Sequence, residues 1–159
     1  MNTYQWLLVF HVTGAFLLLG GGAIAAALNL SALRRERPSE ILLLYGLIRV
    51  AVVAITAGTL LAFVFGLWLV HEAPFNYSYG DGWVIAAFVL LIVANALGGA
   101  GGKRDQATVK LARELVASGD APSPELRARV HDPVSLALSY GSGLVLIAIL
   151  ALMIWKPGA

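Results

Sequence analysis

Hydrophobic positions in this chain do not alternate with polar ones; they run on. Residues 4–33, 50–71, 83–102 and 133–155 contain no Asp, Glu, Lys or Arg. A helix crosses a bilayer with about 20 mostly apolar residues at about 1.5 Å rise each, so all four runs are long enough to span. The pattern predicts an all-α polytopic membrane protein, an antiparallel four-helix transmembrane bundle forming one domain over residues 1–159. The first run is about ten residues longer than a span needs, so it tilts or extends past the hydrocarbon.

Small residues recur four apart on every run. They are Gly22 and Ala26; Ala54, Gly58, Ala62 and Gly66; Ala94, Gly98 and Gly102; and Ser135, Ser139 and Gly143. In lipid, helices associate through close backbone approach rather than hydrophobic burial, so these stripes are the expected helix-packing faces. They suit a seam inside the bundle and a seam between copies equally.

The segments between the runs carry their own signals. Pro38 separates the first run from the next element, with Ser39 as candidate N-cap and Glu40 in the first turn. The second helix then starts before the hydrocarbon, and residues 41–48 protrude below it. Pro74 disfavours helix at Ala73 and leaves 72–82 as an outer turn. A separate amphipathic helix is predicted over 106–118, with Val109, Ala112 and Val116 on one side and Gly119 as its stop. Packing on the protruding ends of spans 1 and 2 suits it better than lying in the lipid interface, because residues 41–48 otherwise lack a cover. Ser123-Pro124-Glu125 and Asp132-Pro133 each read as an N-cap followed by a proline in the first helical position.

Charge then orients the bundle. Of 11 basic residues, Arg34, Arg35, Arg37 and Arg49 lie between runs one and two. Lys103, Arg104, Lys110, Arg113, Arg127 and Arg129 lie between runs three and four, and Lys156 stands alone near the end. Cytoplasmic loops are enriched in Lys and Arg, so 34–49 and 103–132 are predicted inside and both termini outside, in the inner membrane of a bacterium. Trp6, Trp68, Trp83 and Trp155, with Tyr4, Tyr77 and Tyr79, fall at the predicted outer ends as an aromatic belt. With 59% hydrophobic residues and a mean hydropathy of +0.81, the partner is the lipid bilayer. The pI near 9.2 reflects bases beside the membrane rather than nucleic-acid binding, which is excluded as a partner class. Zero cysteines exclude disulfides, thiolate metal sites and cysteine nucleophiles. The amino terminus has no basic region or cleavage pattern, so the first run reads as a retained span.

Candidate chemistry is sparse. The predicted spans hold His11, Thr13, Asn29, Thr56, Thr59, Asn95, Ser139 and Ser142, and no acid or lysine. Proton-coupled transport relies on ionisable groups there, and no hydrolase, protease or ATPase motif is present. His11 stands out. It lies about 10 Å into span 1 at 1.5 Å per residue and shares a helical face with Ala15, Leu18, Gly22 and Asn29. A neutral imidazole there either ligates haem iron or copper as a cofactor and metal site, or hydrogen-bonds a neighbouring helix. His71 is at the interface and His131 is cytoplasmic, so a bis-histidine haem within one chain is not expected.

The run Leu7-Leu8-Val9-Phe10-His11-Val12-Thr13-Gly14-Ala15-Phe16, leading through Gly20-Gly21 to Leu33-Arg34-Arg35, resembles the opening of an uncharacterised bacterial family of predicted four-span integral membrane proteins. The resemblance implies the same span count and loop spacing, and no assigned activity. More remotely, a first-span histidine before Gly-Ala is similar to copper-resistance D-type proteins and haem-dependent membrane protoporphyrinogen oxidases. That resemblance implies haem b or copper at His11. The oxidases also use a lysine in a later span, which this chain lacks.

Three functional classes follow. The first is a non-catalytic subunit or scaffold packing as a homo-oligomer or within a larger membrane complex. The second is a haem- or copper-binding membrane redox protein using His11. The third is an oligomeric small-solute transporter or channel.

Overall fold

The computed structural model describes residues 2–72 and 77–158; part of the predicted outer turn, 73–76, lies outside the described residues. It is all-helical, with α1 Thr3–Ala32, α2 Pro38–Glu72, α3 Gly82–Ala117, α4 Pro124–Val130 and α5 Pro133–Trp155. Among the described residues, four helices are long and apolar enough to cross a membrane. They pack as two antiparallel pairs, α1 with α2 and α3 with α5, joined by thinner contact between α2 and α3.

The α1/α2 seam explains the first pair. Along α1 the buried or partner-facing positions are Leu7, His11, Gly14, Leu18 and Gly21, at alternating steps of four and three. Two α-helices stay in contact when their seam averages 3.5 residues per turn. A strict step of four turns 400° and drifts 40° each time, which is why the expected Gly22 stripe yields to Gly14 and Gly21. A Cβ added at Gly14 would lie 2.5 Å from the Ala62 nitrogen, and one at Gly58 would lie 2.6 Å from the Gly14 oxygen. The backbones touch there without intervening side chains.

The end of α1 and the start of α2 are covered by other elements. Ala32, Ile41, Tyr45, Ile48, Ala112, Leu126 and Val130 form one buried cluster, with Val109, Leu111 and Leu115 packed against it. The covering helix is not separate, however. The predicted 106–118 element is the continuation of span 3, because Gly98, Gly99, Gly101 and Gly102 weaken α3 without breaking it and no proline interrupts residues 82–117. Ser39 is likewise not the N-cap of α2. Pro38 occupies the first helical position, and the Ser39 N–H and Oγ instead donate to the Asp120 carboxylate at 2.8 and 2.6 Å. Asp120 reaches that place because α3 ends in a Schellman turn. Gly119 takes φ +116°, and the Gly119 and Asp120 amides bond Val116 and Leu115 carbonyls. Ser123 and Asp132 cap α4 and α5 as their sequence signals predict, Asp132 accepting from the Val134 and Ser135 amides.

At the opposite end Trp6, Trp68 and Trp155 are exposed, but Trp83 is 6% exposed. It packs edge-on to Tyr77 with Val70 and Val84, beneath the Lys156 ammonium. One member of the predicted belt is therefore core.

Candidate functional site

His11 is held by two elements at once. Its Nδ1 lies 2.8 Å from the Ala62 carbonyl oxygen on α2. A carbonyl only accepts, so Nδ1 carries the proton and donates, and the neutral ring keeps its lone pair on Nε2. The ring lies against α2 where Gly66 has no side chain; a Cβ there would come 2.9 Å from both Nδ1 and Cε1. Gly66 is the slot for the imidazole. The other histidines do not converge on it. His71 is exposed at the end of α2, and the exposed His131 has Nδ1 bonded to the Arg127 carbonyl at 2.9 Å. Among the described residues, no group of three or more His, Cys, Asp or Glu is placed to hold a metal.

The predicted packing residues divide by partner. Gly58 and Ala62 meet the α1 backbone around Gly14, and Gly66 meets His11. A Cβ added at Gly22 would lie 4.0 Å from Leu146 Cδ1 of α5. Ala26 and Ala54 are half-buried, Ala54 beside Ala51 and Gly20 in a shallow apolar groove. Between α3 and α5, Ala94 is buried and its carbonyl accepts from Ser142 Oγ at 3.0 Å. Ser142 Oγ also stands 3.4 Å from a Cβ added at Gly98. Ser139 Oγ lies 3.1 Å from one at Gly101, which joins the list that spacing alone missed, with Gly14, Gly21 and Ala51. At Gly102 and Gly143 an added Cβ would find nothing within 4 Å.

Three other polar side chains of the apolar runs bond carbonyls of their own helix. Thr56 and Thr59 hydroxyls donate to Val52 and Ile55, and the Asn95 amide to Leu91. Asn29 is buried with its Oδ1 unpartnered.

Sequence reasoning missed a second polar cluster, at the end of the bundle where α3 meets the start of α5. Because α3 continues past Gly102, Asp105 is carried into the bundle, where Ser135 Oγ donates to it at 3.3 Å. Burial pushes its carboxyl above the usual range, against the opposing effect of the Ser135 bond. Burial also raises the Tyr45 phenol, and the negative charge of Asp105 adds to that shift. Nearby, Arg104 pairs with Asp132, and Arg127 with Glu36 at 3.3 Å.

The chain has no significant match among curated proteins or among solved structures. Residues 5–157 match the model of a family described as predicted integral membrane protein (DUF2269), and the chain belongs to that family.

Proposed function

We propose that the protein is a non-catalytic membrane subunit or scaffold that packs with itself or within a larger membrane complex. The observation that carries this reading is the use made of His11. The one intramembrane side chain with the chemistry of a ligand or base is engaged as a strut between α1 and α2, in a slot formed by Gly66. On this reading His11→Ala lowers the stability of the purified protein by about 1 kcal/mol, the scale of interhelical hydrogen bonds in membranes. A melting curve in detergent that does not move would count against the strut. The assembly itself is read from native membranes solubilised gently: a species larger than one chain is expected, and a lone monomer without partners would sink the proposal.

A second reading is favoured by the tautomer. With Nδ1–H fixed on a carbonyl, Nε2 is left as a free donor, the arrangement that orients histidine ligands in metal sites. The donor set is one imidazole, which falls short of a copper site within one chain but matches the single protein ligand of a five-coordinate haem. Haem bound there would supply electron-transfer chemistry. Absorbance and metal analysis of the protein from its own host decide: a Soret band lost in His11→Ala supports haem, and the absence of both haem and metal ends the idea.

We also infer an inner bacterial membrane with both termini outside. The distribution of bases supports it, together with the joining of residues 36–39 to 120–127 at one end of the bundle. Cysteines introduced singly at Ser78 and Ser118 and probed with an impermeant thiol reagent on intact cells test the orientation. Ser78 is expected to label, and labelling of Ser118 alone would reverse it.

A further inference from the structure

The outward face of α3 carries a seam that the chain itself does not use. Ile92, Asn95, Gly99 and Gly102 are all exposed and succeed one another at steps of three, four and three. That is the spacing by which α1 meets α2, and it averages the 3.5 residues of a continuous helix contact. The face lies about a third of a turn around the helix from the one that Ala94 and Gly101 bury against α5, at 100° per residue. At Gly99 and Gly102 an added Cβ would meet nothing within 4 Å, so neither glycine is explained by packing within the chain.

Asn95 is the independent observation. One amide N–H satisfies the Leu91 carbonyl of its own helix at 2.8 Å. Its Oδ1 and its second N–H have no partner among the described residues, and the side chain is exposed near the middle of an apolar stretch. Where the surroundings are hydrocarbon, a polar group left unbonded is costly. Threonines on neighbouring helices avoid that cost by bonding their hydroxyl to a carbonyl one turn back. An amide has too many groups for that solution.

We propose that this face is the contact with a second copy of the chain, with the Asn95 amides of the two copies paired across it. Copies inserted with the same orientation bring identical α3 faces together about an axis normal to the membrane. Asn95 then meets Asn95, and an amide both donates and accepts, so the pair is self-complementary. Gly99 and Gly102 let the backbones approach close enough for that bond, as glycines do at membrane helix crossings. One step beyond, the phase reaches Gln106, a second amide on the same face. This inference rests on the self-association arm of the function proposed above and names its surface.

The chain holds no cysteine, so single introduced thiols report without background. In lipid vesicles at increasing dilution, fluorescently labelled wild-type chain is expected to dimerise, with disulfides forming through Ile92→Cys and Gly99→Cys. Val53→Cys on α2 and Ile147→Cys on α5, exposed on other faces, are expected not to cross-link. Asn95→Leu should weaken dimerisation about tenfold, on the scale of one or two interhelical hydrogen bonds. The fold survives this change, because the Asn95 side chain bonds only its own helix. Asn95→Gln keeps the amide and should retain most of the association. An unchanged dimer in Asn95→Leu, or cross-linking through Val53 or Ile147 in place of Gly99, overturns this face while leaving self-association standing. A monomeric chain that co-purifies with a different protein overturns the second copy but not the scaffold reading. A monomeric chain with no partner overturns both.

Discussion

The two helix pairs use small residues for different purposes. Between α1 and α2, glycine meets backbone: Gly14 and Gly58 leave no room for a single carbon, and Gly21 stands 2.8 Å from Ile55 Cγ1 by the same measure. Between α3 and α5, a hydroxyl is interposed. Ser142 bonds the Ala94 carbonyl, and Ser139 lies over Gly101. Each seam carries one hydrogen bond, His11 to Ala62 in the first and Ser142 to Ala94 in the second, so they differ in what an added methyl group would meet. A backbone atom cannot move out of the way of a new methyl group, whereas a serine Oγ can rotate. The same small-residue spacing therefore encodes a rigid joint in one half of the molecule and a more forgiving one in the other.

The largest expected effect tests the rigid joint. Gly58→Leu forces side-chain volume against the Gly14 oxygen and the Leu18 nitrogen, both at 2.6 Å from the first added carbon. A loss of about 3 kcal/mol or failure to fold is expected, at the upper end of overpacking costs. Reversible unfolding in mixed micelles measures it, and a loss below that of the next variant would erase the contrast between the pairs. That variant is Gly101→Ala, whose methyl meets a rotatable Ser139 Oγ at 3.1 Å. About 1 kcal/mol is expected at most, since the helix gains back part of it through the better propensity of alanine.

The smallest effect concerns Asp105, where α3 meets Ser135 of α5. Its carboxyl titrates higher in the folded protein than in the unfolded chain, because burial disfavours the charge. The protonated form is thus the one the fold prefers. Stability is fully present below the unfolded carboxylate value and falls as pH rises through the raised folded one. Asp105→Asn, which still accepts from Ser135, should raise the melting temperature at pH 7 and leave it nearly unchanged at pH 4. A gain of the same size at both values would assign the effect to packing instead of charge.

Much of this architecture could be read from local sequence, and the part that could not has a common cause. Helix existence, the stop at Gly119 and the caps at Ser123 and Asp132 depend on residues within a turn or two of each other. The seam did not follow from Gly22, Ala54 and their four-residue spacing, because the drift of such a stripe matters only against a partner helix. The Asp120 bond to Ser39 joins positions 81 apart. Asp105 looked like a loop residue because a break was expected after Gly102, and the four glycines of residues 98–102 are a weaker signal than one proline. His11 was visible as the residue to watch, but its slot at Gly66 belongs to another helix.

The self-sufficiency of the first pair bears on how the protein is made. By the time Glu72 leaves the ribosome, α1 and α2 are complete, and the residues that close their seam, Gly14, Gly21, Gly58 and Gly66, have all been synthesised. His11 already has Ala62 available, and Thr56 and Thr59 have their own helix carbonyls. The hairpin can therefore enter the bilayer as a finished unit before α3 emerges, with its imidazole already bonded through Nδ1. The Asp120 carboxylate arrives only after the whole of α3 has been translated. It fastens the second half onto a first half already in place, a late latch on an early hairpin.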